Sequence, residues 1–389
     1  MVCALALHRA GVPVTVFEQE SAPLQDQRAA TLHPTTLEML DALGVLATIR
    51  PRGLVSPIYH FRDRETGELV AEFDLDLMKS EFKFPYVLQY EQYKLTRDIT
   101  QQFANESDFD VRYSHRVQAL RMHEDRIEVE VAGPEGIQRH SGLYLIGTDG
   151  GRSTVRKAGG IPFEGFTYPE RFVKLATPFD FQAANPGYVF RNYFSDPQEW
   201  CNLFKVRGDG GGGIWRAIFP TRDGESDEQA LSAEGIQRRL QRFFPKLGEY
   251  DIDDANVYAV HQRVASTFRN GRVLLAGDAA HVNNPIGGMG MNGGIHDAVN
   301  LAEKLSRVLV RGEDEALLDL YSRQRRHAAV SYVQAQTIAN KKLLEERDPG
   351  QRRASLEELR RVAADPARAR AYMRRAALAD SLRDAASVR

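Results

Sequence analysis

The chain of 389 residues has only two cysteines, Cys3 and Cys201. Two cysteines are too few for a disulfide framework, and their separation is not that of a metal-binding pair, so the sequence predicts no metal site and a reducing compartment. The sequence also lacks an apolar run long enough to cross a bilayer and a basic, apolar leader at its start. We therefore expect a cytoplasmic protein without a transmembrane segment.

An excess of charge of either sign is also lacking. The 51 Lys and Arg residues nearly balance the 53 Asp and Glu residues, which gives a formal net charge of −2. This balance offers no electrostatic basis for binding a nucleic acid. The hydrophobic fraction of 42% and the charged fraction of 27% are ordinary for a globular protein. Because the length exceeds a single compact core, we expect more than one domain.

The sequence also lacks the start of a nucleotide-binding unit. Residues 2–10 have the pattern of a helix that ends at Gly11, and the apolar, strand-like segment that follows ends at Glu18. Helix, strand and acid in this order form the second half of a dinucleotide-binding βαβ unit, in which the acid binds the adenosine ribose hydroxyls. The strand and the G-x-G-x-x-G motif of the first half are missing before Met1. We interpret the chain as an amino-truncated form of a longer protein.

Two other matches to G-x-G-x-x-G are poor candidates for that motif. Residues 208–213 lie between two strand-like runs, so a hairpin turn is the better interpretation. Residues 288–293 open a helix, but they do not follow their strand directly, and no acid ends a second strand after them. The sequence therefore predicts no separate domain for NADH or NADPH.

The strongest positive signal is the segment 272–305. Residues 273–276 are typical of a buried strand, and Asp278 follows at its carboxyl end. A glycine-rich loop and a segment of helical periodicity come next, so backbone N–H groups and a positive helix end can approach a ligand. A carboxylate on one side and N–H groups on the other fit a flavin dinucleotide, with Asp278 accepting hydrogen bonds from the ribityl chain. The candidate cofactor-binding residues of the loop are Pro285, Gly288, Gly290, Met291 and Asn292.

A second signal lies at residues 143–160. A short apolar run is followed by the turn Thr148-Asp149-Gly150, and Ser153 has the position of a helix N-cap. Taken alone, this segment is also compatible with a capped turn that binds no ligand. The downstream Gly277-Asp278 turn, which occurs in the expected order, favours the ligand-binding interpretation.

The two signals together resemble the flavin motifs of the single-component FAD-dependent aromatic hydroxylases, the para-hydroxybenzoate hydroxylase-like flavoprotein monooxygenases. The segment GDAAHVNNPIGGMGMNGGIHDAVNL is similar to their second flavin motif. Asp149, Gly150, Arg152, Ser153 and Arg156 stand in register with their DG motif. The resemblance implies that FAD is the cofactor, that Asp149 bonds near the riboflavin, and that the arginines meet a phosphate of FAD or of a transient nicotinamide nucleotide.

Further positions follow from the same resemblance. An arginine in the position of Arg28 contacts the FAD diphosphate or the adenosine ribose, and a glutamine in the position of Gln92 lies at the flavin side. Gln89 competes with Gln92 for this role, and either could be an ordinary surface amide. The chain departs from the family at the pyrophosphate site, where G-x-G-x-x-G is missing. A lost strand with weak FAD binding is the alternative to truncation.

Between the two motifs, short aromatic and β-branched segments alternate with turn clusters, which predicts an antiparallel sheet. In the family such a sheet positions the aromatic substrate. Trp215 and Arg216 are neighbours and so point to opposite faces, and at most one of them is expected to face the substrate. The candidates for substrate contact are Tyr188, Phe190, Tyr193, Trp215, Arg216 and His261.

The sequence thus predicts an α/β protein with four segments. A Rossmann-like FAD-binding domain, truncated at its amino end, has its first part at residues 1–162 and its second part at 266–346. An antiparallel β-sheet substrate domain at residues 163–265 is inserted between them. Residues 347–389 form C-terminal helices, whose interleaved charges favour solvated faces.

The reaction implied by the resemblance is hydroxylation of a phenolic or hydroxylated heteroaromatic ring. The small aromatic substrate reacts with O2 through a flavin C4a-hydroperoxide, and NADH or NADPH is the transient reductant. The sequence identifies no catalytic side chain. Two alternatives stay open: another flavin oxidoreductase on the same scaffold, and an inactive, FAD-free binding module. Whether the chain forms a homo-oligomer is also left open.

Overall fold

The computed structural model describes residues 1–25, 29–104 and 106–389. It is a mixed α/β structure, as the sequence predicts. The strands of the described residues, numbered in chain order, are β1 (Val14–Phe17), β2 (Thr31–Leu32), β3 (Leu54–Ser56), β4 (Ile58–Asp63), β5 (Leu69–Asp74), β6 (Val87–Gln89), β7 (Phe109–Arg112), β8 (Arg116–Met122), β9 (Ile127–Gly133), β10 (Gly136–Gly142), β11 (Leu145–Gly147), β12 (Phe163–Thr177), β13 (Arg191–Ser195), β14 (Cys201–Val206), β15 (Ile214–Pro220), β16 (Asp254–Ala265), β17 (Arg269–Asn270), β18 (Val273–Leu275) and β19 (His281–Val282).

The helices of the same residues are α1 (Val2–Arg9), α2 (Pro34–Ala42), α3 (Leu46–Ile49), α4 (Gln92–Phe103), α5 (Thr154–Ala158), α6 (Phe181–Ala184), α7 (Asp227–Leu231), α8 (Ala233–Phe243), α9 (Met289–Arg311), α10 (Ala316–Ala328), α11 (Ala335–Glu345), α12 (Pro349–Ala364), α13 (Pro366–Ala376) and α14 (Ala379–Ser387). A π-helical turn at Ala329–Gln334 joins α10 to α11. In the part of the chain that the structure describes, no helix has both the length and the apolar character that a membrane span needs.

The Rossmann-like part contains two pairs of parallel strands. β1 pairs with β7, and β11 pairs with β18, whose other edge pairs with β17. The strands β11 and β18 are short and apolar. An apolar sequence is expected here, because parallel sheets are usually buried on both faces. Helix α1 packs on α9, and their apolar residues share a core with β18. This core fixes the position of the strand ends where the candidate site lies.

The largest sheet of the described residues has eight strands in the order β19-β16-β12-β15-β14-β13-β4-β5. Its pairs are antiparallel except for β13 with β4. Alternation along the strands divides the side chains between two cores. Arg191 and Tyr193 lie on the face that packs toward the glycine-rich loop, while Phe194 and Trp215 lie on the opposite face under α8.

Two features of the sheet and its surroundings differ from the sequence-based segments. The sheet is larger than residues 163–265, because β4 and β5 from the first segment complete its edge. The C-terminal part forms three helices, and α12 and α13 pack on β5 and its neighbours rather than standing free in solvent. Both differences depend on contacts between distant segments, which local patterns do not encode.

A buried carboxylate holds α9 against the turn that follows β18. Asp297 accepts hydrogen bonds from Gly277 N (3.0 Å), His281 Nε2 (2.8 Å) and Arg325 Nε (2.7 Å). Burial raises the pKa of this carboxyl, but the charges of His281 and Arg325 and their hydrogen bonds outweigh burial and lower the pKa to about 2. The helix approaches the turn so closely that a Cβ on Gly294 would lie 3.1 Å from the Cα of Gly277.

We expect Asp297→Asn to lower the free energy of unfolding by about 3 to 5 kcal/mol, because it leaves the buried Arg325 guanidinium without its counter-ion. Urea unfolding followed by circular dichroism measures the loss. Glu303→Gln on the same helix is the matched control. It removes an exposed pair with Arg307 and should cost less than about 0.5 kcal/mol. Equal stability of the two variants would contradict the role given to Asp297.

Acid should destabilise the chain through two buried histidines. Burial and a nearby arginine lower the pKa of His33 and of His296 to about 3, with Arg191 acting on His33 and Arg325 on His296. Below the unfolded pKa of about 6.5, the unfolded chain binds protons that the folded chain does not, so stability falls as the pH falls, by about 2 kcal/mol per histidine at pH 5. Urea unfolding at pH 7.5 and pH 5 tests this, and His296→Gln should reduce the difference. A difference that His296→Gln leaves intact would refute the assignment.

Candidate functional site

The two aspartate turns predicted from the sequence lie side by side. Because β11 and β18 are parallel neighbours, their carboxyl ends meet at one edge of the sheet, and Ala276 N donates to Gly147 O across them (3.0 Å). Asp149 follows β11 and Asp278 follows β18, and both side chains are exposed at this edge. The structure therefore brings the two predicted carboxylates to the same edge.

The turn after β11 is held by its own side chains. Asp149 accepts hydrogen bonds from Ser153 Oγ and from Val155 N (3.0 Å). Ser153 is the N-cap of α5, where its hydroxyl accepts from Arg156 N at 2.8 Å. The sequence predicts this cap correctly. One carboxylate thus fixes the turn and the helix that follows it.

Arg156 joins this turn to the one after β18. Its guanidinium donates to Ala279 O and to Gly151 O, each at 2.8 Å, and lies 3.8 Å from the centre of the Phe163 ring. Burial lowers the pKa of this arginine, while Asp149 acts in the opposite direction. The N–H donors of Arg156 thus bind the protein backbone. Of the two arginines expected to contact a phosphate, Arg152 is the exposed one.

The glycine-rich loop ends in an uncapped helix. Gly287 and Gly288 have φ values of +102° and +68°, and Gly288 N donates to Pro285 O at 3.0 Å. A Cβ at Gly287 would lie 2.6 Å from Nδ2 of Asn340, so that side chain would have to move, and the positive φ itself favours glycine. Gly288 is the N-cap of α9 and offers no side-chain acceptor to the first N–H groups of this helix of 23 residues. The first turn, which contains Gly290 and Met291, is thus suited to an anionic or polar ligand group.

Asn292 and Met291 face the protein rather than a ligand. The amide of Asn292 accepts from His33 N (2.9 Å) and donates to Thr31 O (2.8 Å) and Gly288 O (2.6 Å). Met291 packs against the core formed by α1, α2 and α4. These two side chains fix the loop against the segment before α2. We regard both as positioning residues.

The candidates from the first part of the chain differ in their surroundings. Glu18 stands at the end of β1, half-buried, and accepts from Glu20 N at 3.0 Å. Gln92 is exposed at the start of α4. Gln89 is buried and accepts from Thr31 Oγ1 (2.9 Å), while its Nε2 has no hydrogen-bond partner. Because Thr31 touches Gly288, Gln89 lies nearer to the loop and is the better candidate. Arg28 lies outside the described residues.

A narrow pocket opens beside the loop. It lies between the loop, the substrate sheet and α13, and most of its wall is apolar or aromatic. The polar side chains at one end are His33, Tyr59, Arg191 and Tyr193. Of the described residues that line the pocket, Arg191 alone carries a permanent charge. In the described chain, no group of three or more His, Cys, Asp or Glu side chains is arranged to hold a metal ion.

Arg191 is a buried cation with no anionic partner among the described residues. Arg191 is 6% exposed, and its Nη2 donates to the Tyr193 hydroxyl at 3.1 Å. The guanidinium lies 5.1 Å from the centre of the Tyr59 ring, and the Tyr59 hydroxyl has no partner. No carboxylate of residues 1–25, 29–104 or 106–389 is within ion-pairing distance of it. A buried charge in this state favours an anionic ligand.

His33 supports the loop and adds no charge. Its Nε2 lies 3.0 Å from Gly287 O, and a carbonyl oxygen only accepts, so Nε2 carries the proton. With a pKa near 3, caused by burial and by Arg191, the imidazole is neutral at pH 7. Burial also raises the pKa of Tyr59 and of Tyr372, so both hydroxyls stay protonated. The pocket is positive at one end and uncharged elsewhere.

Only one of the six predicted substrate-contact residues lines this pocket, namely Tyr193. Tyr188, Phe190 and Trp215 pack on the opposite face of the sheet, away from this pocket. His261 is exposed and bonds Thr167 at 2.9 Å, and Arg216 also lies outside the pocket. For each of these residues taken singly, the sequence favours core packing or exposure over substrate contact.

Arg216 shares the pocket face, as alternation with Trp215 requires, but it lies near Glu91 (3.7 Å) instead of in the pocket. The sequence analysis missed the lining residues His33, Tyr59, Arg191 and Tyr372. One signal was available for Arg191: it stands two positions before Tyr193 on the same strand, so the two share a face.

The family described as "FAD binding domain" matches residues 1–336. Para-nitrophenol 4-monooxygenase of Pseudomonas sp. (strain WBC-3) is 34% identical over 359 residues, which cover 90% of this chain and 86% of that protein. The crystal structure of p-nitrophenol 4-monooxygenase PnpA from Pseudomonas putida DLL-E4 superposes with a TM-score of 0.90 at 33% identity and covers 96% of this chain and 93% of PnpA.

A larger protein shares the same fold. The ternary complex of aklavinone-11 hydroxylase with FAD and aklavinone superposes with a TM-score of 0.79 at 25% identity, over 89% of this chain and 67% of that one. The matches confirm the resemblance deduced from the flavin motifs. The chain belongs to the FAD-binding-domain family and, within it, to the single-component FAD-dependent aromatic hydroxylases.

Proposed function

We propose that this FAD-dependent aromatic monooxygenase hydroxylates a small phenol, which it binds as the phenolate against Arg191. The observation that carries the proposal is the buried guanidinium of Arg191, which has no carboxylate partner in the part of the chain that the structure describes and lines an aromatic pocket beside the glycine-rich loop. An anion in this position would supply the missing counter-charge. The relatives named for p-nitrophenol support the choice, since that phenol is acidic.

The side chains around Arg191 suit a phenolate. The guanidinium stabilises negative charge on the ring oxygen and lowers the pKa of the bound phenol. The unpartnered hydroxyl of Tyr59 can donate to the same oxygen or to another polar group of the ring. The remaining wall is apolar, so it excludes water and leaves the ring in contact with carbon atoms. A phenolate is also more electron-rich than its phenol and is the better acceptor of an electrophilic oxygen.

The residues present fit FAD at the neighbouring edge of the sheet. Asp149 and Asp278 offer carboxylate acceptors for hydroxyl groups, the first turn of α9 offers N–H groups without a side-chain cap, and Gln89 offers a buried N–H donor without a partner. We assign Glu18 to the adenosine ribose by its place at the end of β1. When bound, FAD supplies the oxygen-transferring chemistry, with NADH or NADPH as its proposed reductant.

Other residues hold the site in place. His33 fixes the carbonyl of Gly287, Asn292 fixes that of Gly288, and Arg156 joins the two aspartate turns. Helix α9 adds a positive field at its amino end. These groups are held by hydrogen bonds within the protein, so little reorganisation is needed during the reaction. We also propose a cytoplasmic location, where a nicotinamide reductant is available.

We expect the purified chain to bind added FAD and Asp278→Ala to weaken this binding by about 10- to 100-fold, because a charged acceptor for a flavin hydroxyl is lost. Titration of flavin fluorescence gives both dissociation constants. Asp223→Ala removes an exposed carboxylate from a distant loop and should leave the constant unchanged. If the unaltered chain stays colourless and binds no FAD, the binding-module alternative replaces the enzyme.

Arg191→Met should weaken binding of the 4-nitrophenolate ion by at least about 2 kcal/mol, roughly 30-fold, because the ion loses its buried counter-charge. The shift of the phenolate absorbance on binding measures affinity directly. Affinity for the unaltered chain should rise with pH through the pKa of the ligand, and the variant should lose this dependence. Arg121→Gln removes an exposed charge on β8 and serves as control. Unchanged affinity in Arg191→Met would remove Arg191 from substrate recognition.

A further inference from the structure

Helix α13 forms one wall of the pocket. Tyr372, Met373 and Ala376 of α13 line the pocket, although the interleaved charges of this region predict solvated helix faces. Met373 is fully buried in the core that also contains Ile286 of the glycine-rich loop. The wall therefore belongs to the site and not to the outer surface.

The ring of Tyr372 is fixed by aromatic neighbours. It stacks on Phe73 of β5 with ring centres 4.5 Å apart and planes 15° apart. Phe73 stacks in turn on Tyr59, at 5.2 Å and 19°. Tyr372 also meets Phe61 edge to face at 6.4 Å. A rotation of Tyr372 out of the pocket would lose these contacts, so the ring acts as a fixed boundary.

The helix that carries Tyr372 is held at several points. Arg370 Nε donates to Leu77 O (3.1 Å), and Arg375 Nε donates to Gln336 Oε1 of α11 (2.9 Å). At the end of α13, Thr35 of α2 donates to Ala377 O at 2.7 Å. Because these contacts come from three separate segments, α13 cannot move aside without breaking all of them. Tyr372 therefore has a fixed place in the pocket.

The pocket is narrow where Tyr372 lines it. The ring centre of Phe61 lies 4.9 Å from that of Tyr193 and 6.4 Å from that of Tyr372. These three aromatic rings border the pocket side by side, and Tyr372 fills space that a larger ligand would need. By contrast, aklavinone-11 hydroxylase binds a polycyclic compound with the same fold. The fold does not set the size of the substrate, so the pocket wall must do so.

We infer that Tyr372 is a specificity-determining residue that restricts this enzyme to phenols with one ring. The inference rests on the proposed function, because it assumes that a phenolate occupies the pocket with its oxygen toward Arg191. A second fused ring would extend from that position into the space of the Tyr372 side chain. The hydroxyl of Tyr372 plays no part in this restriction, which depends on the volume of the ring.

The test compares the binding of 4-nitrophenol and 4-nitro-1-naphthol to the FAD-loaded chain. Both ligands are coloured as phenolates, so the shift of their absorbance measures affinity without turnover. We expect the unaltered chain to prefer the one-ring ligand by about tenfold or more, and Tyr372→Ala to abolish this preference. Tyr372→Phe keeps the ring and should keep the preference. Tyr332→Ala removes a tyrosine that bonds Asp384 outside the pocket and should also keep it.

The outcomes separate this inference from the proposed function. Equal binding of the two ligands by the unaltered chain, or an unchanged preference in Tyr372→Ala, would overturn the role of Tyr372. Tyr372→Leu, which keeps apolar contact with Phe73, replaces the alanine variant if the latter fails to fold, and its preference is judged in the same way. If 4-nitrophenol does not bind to the unaltered, FAD-loaded chain, the proposed function fails and the inference falls with it.

Discussion

Asp297 lies where four segments meet, and its two carboxylate oxygens bind a group from three of them. Gly277 N belongs to the turn after β18, His281 to β19 and Arg325 to α10, while the aspartate itself stands on α9. Since the glycine-rich loop runs between His281 and α9, the carboxylate fixes both ends of the loop. The loop backbone is therefore held in place by a charge that never meets solvent, and the N–H groups at the start of α9 keep their direction.

A second constraint connects the loop to the substrate pocket. His33 donates from Nε2 to the carbonyl of Gly287, and the same imidazole lines the pocket near Arg191. Burial and the charge of Arg191 lower the pKa of His33 to about 3, so it is a neutral imidazole that donates to the loop from Nε2. His33 thus contacts both the loop, which we assign to the cofactor, and the pocket, which we assign to the substrate. This shared residue allows the loop and the ring of a bound substrate to hold a constant relative position.

Local sequence patterns were sufficient for the flavin-motif part of the site. The buried strand before Asp278, the Ser153 cap and the hairpin at residues 208–213 all follow from short-range rules and stand where they were predicted. Parallel pairing of β11 with β18 then brings Asp149 and Asp278 to one edge.

The substrate pocket could not be predicted in the same way. Its residues come from the start of α2, from β4, from β13 and from α13, and only the folded chain brings these segments together. The period of a strand tells which residues share a face, but it does not tell which face meets the loop. For this reason the sequence offers Trp215 and Tyr188, which lie on the other face, as candidates for substrate contact and does not offer Arg191. Local patterns also do not predict that β4 pairs with β13.

The wall formed by α13 has a consequence for how such a protein can diverge. The segments that fit the cofactor end with α9, whereas one wall of the pocket comes from α13. Substitutions in that helix can alter which molecules enter without touching any residue that we assign to the flavin. A duplicated gene could therefore acquire a new substrate range through changes in the codons of this one helix, while its oxygen chemistry is inherited intact.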